Sequence, residues 1–374
     1  MGGAGEGSRR LPSLAVVGRD RTTLKQMVNE ARSGPVFVVG IWRSGTSLLY
    51  TLLNQHPQIA LTYESDLFLL RSLFRNGATK ADWLERWEFW NSALSRHDID
   101  TSTLPSQTLS YPAAATLVWQ QYAGQCNCKA LYGEKSPNYF DCLQQLAREF
   151  PDARFVVIWR DLADTCRSIV RAGRGSSFFA KRGITHRALI GYRRMKRECD
   201  ALERLGIPLH QIHYEEMIES PEAVMTGICS FLNISFDARM TSLDEADRSA
   251  IYEAPQHAGV RSTKIELNAP REEVLSPELQ RKIAGYVAFW KKESKGVWPR
   301  YPETDGDADP VGALERALDG LHYRVLRAFD RFTAWVYCYA PIGWLRKYRG
   351  SRTGNSSEQK TQEPAALSEV PTRH

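Results

Sequence analysis

Eight residues, Gly40-Ile-Trp-Arg-Ser-Gly-Thr-Ser47, nearly satisfy the nucleotide-phosphate pattern G-x-x-x-x-G-K-[ST]. Gly40 and Gly45 let the backbone turn tightly and approach a ligand, so that successive amide N–H groups point at an anion. The helix that follows adds the positive end of its dipole. One position departs from the pattern: Thr46 stands where the lysine belongs, and Arg43 lies inside the loop instead. In a nucleoside triphosphatase that lysine bridges the β- and γ-phosphates, and the next hydroxyl holds Mg²⁺. The substitution predicts metal-free chemistry. Arg43 can neutralise a single phosphate, with hydrogen bonds from Thr46 and Ser47. This set suits a 5′-phosphate with one charged group beyond it, not a triphosphate with its metal.

The elements that must hold this loop are legible as periodicity. Pro35–Gly40 is an apolar, β-branched run of the kind found in a strand covered on both faces, and Thr46–Asn54 reads as the helix after it. Further strands are expected at Ile59–Thr62, Ala130–Gly133, Phe155–Trp159 and His210–Tyr214. Helices are expected at Tyr139–Phe150, Ala163–Ala172, His186–Leu205, Pro221–Leu232 and Pro277–Lys292, and also over the tryptophan-rich stretch Leu67–Leu109. Alternation at this spacing predicts a P-loop-type three-layer α/β/α fold on a mainly parallel sheet. Ligands of such sheets sit at the carboxyl ends of the strands, which is where each candidate residue falls. Gly173–Gly183, with Phe178-Phe179 at its centre, reads either as a lid or as a surface loop.

Beyond these features, GIWRSGTSLLYTLLNQHP, residues 40 to 57, resembles the 5′-phosphosulfate loop of sulfotransferases that use 3′-phosphoadenosine 5′-phosphosulfate (PAPS). The form R-S-G-T-[ST]-L-[LM] is closer to the bacterial and protein-tyrosine branches than to the cytosolic aryl and steroid branch. A second motif, RFVVIWRDLADTCRSIVRAG, Arg154–Gly173, resembles the family's strand–Arg–helix–Ser segment in the family's order. The resemblance implies that Arg43, Ser44, Gly45, Thr46 and Ser47 hold the 5′-phosphosulfate, and that Arg160 and Ser168 hold the 3′-phosphate. A guanidinium fork grips phosphate bidentately, so the implied role is chemically sound. HYEEMIESPEAVMTGICSFLNISFD, His213–Asp237, implies Tyr214 near the adenine. GVRSTKIE, Gly259–Glu266, implies that Ser262 and Lys264, with Arg261 beside them, close over the 3′-phosphate, with the register open by two residues.

The resemblance also implies the chemistry. Sulfuryl transfer to a hydroxyl or amine requires that the acceptor lose a proton. In the protein-tyrosine branch a Glu stands 21 residues after the loop arginine, and that count from Arg43 reaches Glu64, expected as general base. Asp66 and His97 stand in reserve, and His56 reads as structural. Lys135, in YGEKSP, matches the branch's K-x-P lysine and is expected to stabilise the leaving oxygen; Glu134 either orients it or forms a plain salt bridge. Protein-tyrosine enzymes carry a Glu before the base and an Arg two residues after it, where this chain has Tyr63 and Asp66, so their specificity for acidic peptides is not expected here. The acceptor stays open among sugar, lipid, phenol and peptide tyrosine.

Composition fits these readings. The 374 residues are 43% hydrophobic and 25% charged, and the net charge of +6 suits an anionic ligand but is too small to argue for nucleic acid. Seven scattered cysteines, with only Cys126 and Cys128 close together, read as reduced thiols. The first residues carry no signal-peptide apolar run, and the longest uncharged stretch, Phe332–Leu345, is too short to span a bilayer. The expectation is a cytoplasmic protein. It comprises a lead-in to residue 34 with a helix near Thr22–Arg32, a sulfotransferase-like domain over 35–301, an amphipathic segment over 311–349 and a disordered tail over 350–374. From Leu314 to Val336 apolar residues recur every three or four positions, with arginines on other faces. That helix either docks on the domain, pairs in a homodimer, or lies at a membrane surface. Two other function classes compete with the transferase: a P-loop kinase or nucleoside triphosphatase, and a non-catalytic binding protein on the same fold.

Overall fold

The structure, a computed structural model, describes residues 34–76, 79–104, 109–127, 130–180, 183–251, 274–293 and 309–353. The expected helix near Thr22–Arg32, the tail beyond 353 and the 259–266 segment lie outside the described residues.

Five strands, β1 (Val36–Gly40), β2 (Ile59–Tyr63), β3 (Leu131–Lys135), β4 (Arg154–Trp159) and β5 (Leu209–His213), form one sheet in the order β2-β3-β1-β4-β5. Each pairing is parallel. The chain builds one side of β1 with β2 and β3, then crosses to the other with β4 and β5. The crevice at the carboxyl ends of β1 and β4 is therefore the place where a doubly wound sheet opens for a ligand.

The central strand β1 is apolar because both of its faces are covered. In β1, Val36 and Val38 join one buried cluster, while Phe37 and Val39 join the other. On the first face lie α1 (Thr46–Leu53), α7 (Tyr214–Glu219) and α8 (Pro221–Leu232). The opposite face carries the 3₁₀ segment Leu67–Asn76, α2 (Lys80–Asn91), α3 (Tyr111–Gln125), α4 (Leu143–Glu149), α5 (Leu162–Ala172) and α6 (Ile184–Arg204). α9 (Pro277–Glu293) and α10 (Ala313–Tyr339) complete that layer, and α11 (Ile342–Thr353) follows once Pro341 breaks the run. This is the expected three-layer α/β/α arrangement.

Several boundaries differ from the sequence reading. β3 runs on to Lys135, so Lys135 is the last residue of the strand rather than one that follows it. Gly133 keeps the strand from ending there: its φ is 152°, and a Cβ would sit 2.0 Å from the Val36 carbonyl oxygen on β1. The helix expected over Tyr139–Phe150 is a 3₁₀ turn at Pro137–Tyr139 and then α4, because Pro137 starts a turn that Ser136 caps through the Asn138 amide. Tyr214 opens α7 rather than closing β5.

Of the placements left open for the C-terminal helix, α10 docks on the domain, and it does so through its polar face rather than its leucine stripe. Leu314, Leu318, Leu321, Val325 and Phe332 are all more than half exposed, whereas Asp319, Tyr323 and Cys338 on the other side are buried. Ion pairs explain the choice. Arg327 Nη2 lies 2.6 Å from Asp141 Oδ1, Tyr323 donates to Asp141 Oδ2 at 2.7 Å, and Arg187 reaches Asp330 at 2.5 Å. Arg86 donates to the carbonyls of Tyr337 and Ala340 at 2.8 and 2.9 Å, satisfying the carboxyl end of the helix.

Candidate active site

The loop after β1 and the start of α5 form a single surface. Gly45, with φ of 101°, precedes the first turn of α1, and a Cβ there would lie 2.3 Å from Cδ2 of Tyr214. The loop thus folds down onto the Tyr214 ring, which only glycine permits. Arg160 lies flat over the same ring, 4.1 Å from its centroid, and donates to the Arg43 carbonyl at 2.9 Å. Arg43, at φ 69°, donates from Nε to Ser168 Oγ at 3.2 Å. Arg43, Arg160 and Ser168 are therefore neighbours on the carboxyl edge of two adjacent strands. Asp161 caps α5 through the Asp164 amide at 2.8 Å, but Arg160 before it is buried and faces the loop rather than solvent.

The half-buried Arg43 guanidinium and the buried Arg160 guanidinium lie near each other and repel. Burial first, and the Arg160 charge second, pull the Arg43 pKa down to about 10. An anion between them would relieve that penalty. The Ser44 hydroxyl, buried in the loop, has no hydrogen-bond partner among the described residues. Both observations fit a phosphate in the cradle.

Beside the loop stands an acid–cation pair. Lys135 Nζ lies 2.5 Å from Glu64 Oε1, donates to Ser47 Oγ at 3.2 Å, and sits 4.0 Å over the Tyr63 ring. The Tyr63 hydroxyl is 2.8 Å from Ser47 Oγ. Burial lowers the Lys135 pKa, and the Glu64 carboxylate opposes that shift. Lys135 is 1% exposed at its side chain and Glu64 14%, so the carboxylate is the accessible member of the pair.

Glu64 itself is held in an uncommon conformation, φ 47°, directly after β2. Its carbonyl accepts from Asn91 Nδ2 at 2.8 Å and from Arg96 Nη2 at 3.1 Å, while Trp87 Nε1 and Asn91 Nδ2 bind the Ser65 carbonyl. The tryptophan-rich segment is thus the clamp that sets the carboxylate's direction. Asn91, Arg96 and Tyr63 carried no motif, and only the tertiary fold reveals them.

The reserve candidates His97 and Asp66, like His56, are held in hydrogen bonds to neighbouring groups. His97 Nε2 accepts from the Tyr63 amide at 3.0 Å, and burial drives its pKa down to about 3, so it stays neutral. His56 accepts from the Gln58 amide at Nδ1 and contacts the Ser235 carbonyl at 2.8 Å through Nε2. Asp66 is fully engaged, accepting from Ser136 Oγ at 2.6 Å and Asn138 Nδ2 at 2.8 Å; burial, then the Glu64 charge, raises its pKa to about 6. Glu134 does not pair with Lys135. As its neighbour along β3 it points to the other face, where it accepts from the Asp66 amide and the Tyr139 hydroxyl. Burial first, and Asp66 second, raise its pKa to about 8. Ser262 and Lys264 lie outside the described residues.

A cavity of about 370 Å³ opens from this pair. Arg43, Thr46, Ser47, Glu64 and Lys135 form its inner wall; Phe68, Trp90, Phe178 and Phe179 line its flank, and Arg327, Asp330 and Ala334 of α10 form its outer wall. The Phe178-Phe179 segment therefore borders the cavity, with Arg43 5.8 Å from the Phe179 ring centroid.

The chain is similar in sequence to named sulfotransferases. A protein-tyrosine sulfotransferase A from Caenorhabditis elegans is 22% identical over 56% of this chain, and a protein-tyrosine sulfotransferase 1 from Danio rerio is 23% identical over 65%. The chain spans 52% and 62% of those two proteins' lengths. A solved sulfotransferase domain from the curacin biosynthetic pathway is 18% identical, with a TM-score of 0.46 over 71% of this chain and 99% of that domain. At that score the overlap is partial, and the fold assignment rests on this chain's own parallel sheet. Residues 35–238, more than half of the chain and inclusive of the 40–47 loop, Glu64, Lys135 and the Arg160–Ser168 segment, match the profile of the Sulfotransferase family, and the chain belongs to that family.

Proposed function

We propose that the protein transfers the sulfuryl group of PAPS to a hydroxyl or amine acceptor without a metal. The observation that carries this reading is the Glu64–Lys135 pair at 2.5 Å, placed against Ser47 of the phosphate loop and open to the cavity. PAPS would supply the sulfuryl group and a phosphate leaving oxygen. The loop amides with the hydroxyls of Ser44, Thr46 and Ser47 would hold its 5′-phosphate, and Arg160 with Ser168 its 3′-phosphate. Arg43, which touches Ser168, stands between the two anions and screens both.

Within that frame each side chain has a defined task. Glu64 takes the acceptor proton at Oε, while Lys135 Nζ neutralises the charge that develops on the leaving oxygen. Ser47 and Tyr63 fix the ammonium so that little reorganisation is needed at the moment of transfer. Tyr214 is the floor under Arg160 and the loop, and its implied role beside the adenine belongs to the same reading. The acceptor enters from the side of Phe178, Phe179 and α10.

The relatives' names point to hydroxyl acceptors, but Tyr63 is committed to Ser47 and Asp66 to Ser136 and Asn138. Neither offers the charges that the protein-tyrosine branch places beside its base, so that branch's specificity for acidic peptides is not carried over, and the acceptor stays open among sugar, lipid, phenol and peptide tyrosine. The test is transfer of label from radioactive PAPS to a panel of sugar, lipid, phenol and peptide acceptors, with and without a chelator. Chelator-resistant labelling that Glu64→Gln abolishes, with nucleotide affinity kept, is the expected result. Magnesium-dependent nucleotide hydrolysis with no affinity for 3′,5′-adenosine bisphosphate would replace this reading with a P-loop kinase or triphosphatase. Full activity in the Glu64→Gln protein would remove the assigned base.

A further inference from the structure

α10 has two faces of opposite character, and the docked one is the polar one. The outer face carries Leu314, Leu318, Leu321, Val325, Phe332 and Trp335, spaced three, four or seven residues apart and 54–74% exposed. On a 27-residue helix about 40 Å long this is a continuous apolar stripe. Tyr339, 37% exposed, carries it to the end of the helix, and Trp344, 53% exposed, lies past Pro341.

The charges that the two helices place beside the stripe are basic: Arg324 and Arg331 border it, and the start of α11 adds Lys347 and Arg346, the latter also paired with Glu85. The acidic residues of α10 turn inward instead: Glu315 to Arg281, Asp319 to Lys282, Asp330 to Arg187. A second copy of this chain would bring arginines, not carboxylates, to the same rim. An anionic lipid surface supplies both an apolar layer for the stripe and a negative layer for its border. Tryptophan and tyrosine at one end of the stripe are the side chains that settle at headgroup depth. Among the described residues no helix is long and apolar enough to cross a membrane, so the contact is one of lying on the surface.

We propose that the outer face of α10 and the start of α11 bind the headgroup layer of an anionic bilayer. The same helix forms the outer wall of the cavity through Arg327, Asp330 and Ala334, so this contact sets the cavity's outer wall against the lipid. The proposal does not depend on the assigned chemistry.

The test is flotation of the full chain with vesicles of phosphatidylcholine alone or mixed with phosphatidylglycerol, beside sedimentation of the lipid-free protein. Wild type is expected to float with the mixed vesicles and to be released by high salt. Leu321→Glu with Trp335→Glu, both on exposed positions, should lower partitioning about tenfold or more at unchanged melting temperature. Arg324→Gln with Lys347→Gln should lower it about fivefold per charge on mixed vesicles only. Absence of flotation, or flotation indifferent to the glutamates, would overturn the proposal. So would a lipid-free dimer that the glutamates split into monomers, since the stripe would then be a subunit interface.

Discussion

The two walls of the cavity are built by different means. The inner wall is made of strand ends and the turns after them, with Arg43, Thr46 and Ser47 after β1, Glu64 after β2 and Lys135 at the end of β3. The outer wall is made of helices tied together by side chains far apart in the chain, as in Arg327 to Asp141 and Arg187 to Asp330. The first wall uses backbone geometry and glycines, which tolerate few substitutions. The second uses ion pairs, which can be exchanged while the fold stays intact. A protein arranged this way can keep its donor and change its acceptor.

That contrast predicts the order of mutational effects. Glu64→Gln should cause the largest, a loss of about a hundredfold to ten-thousandfold in kcat with nucleotide affinity retained, measured by single-turnover transfer. Lys135→Ala should follow closely, about a hundredfold or more in kcat; an equal rise in nucleotide Kd with no change in kcat would make Lys135 a binding residue instead. Asp330→Asn on the other wall frees one guanidinium edge of Arg187. It should shift acceptor KM by no more than about tenfold and leave the PAPS KM alone. A change in the PAPS KM would mean that the two walls are not separable.

The smallest predicted effect is on stability. The folded pKa values of Asp66 and Glu134 are raised, to about 6 and about 8, above ordinary values of 3.8 and 4.5. Between those limits the folded state binds more protons than the unfolded one. Stability from these groups is therefore full below about pH 4 and is lost as pH rises toward about 8. Melting temperature should decline over that window, and Glu134→Gln, which keeps an acceptor for the Asp66 amide, should flatten the decline. A slope identical to wild type would place the buried proton elsewhere.

The same contrast explains what could be read from sequence. Apolar strands covered on both faces, the glycine turn and the Arg–helix–Ser segment have local signatures, so β1, β4 and their loops were legible. Glu64 was reached by counting from Arg43, and its place directly after β2 agrees with that count. The residues that aim it were not legible, because Asn91 and Arg96 act through the Glu64 backbone from another element. Glu134 was misjudged as a partner of Lys135, since adjacent strand residues point to opposite faces. α10 was legible as a helix but not in its docking, because the hydrophobic period marks an apolar face without saying what covers it. The buried face was chosen by Asp141, nearly two hundred residues upstream, which has no local signal.

The central claim is that the loop at 43–47 and the grip at Arg160 and Ser168 form one site for a doubly phosphorylated adenosine. Titration calorimetry with 3′,5′-adenosine bisphosphate, with and without Mg²⁺, tests it most directly. The account predicts one metal-independent site per chain, weakened by about ten- to a hundredfold in Arg160→Ala and less in Ser168→Ala. Undiminished binding in Arg160→Ala, or binding that appears only with Mg²⁺ and a triphosphate, would contradict it.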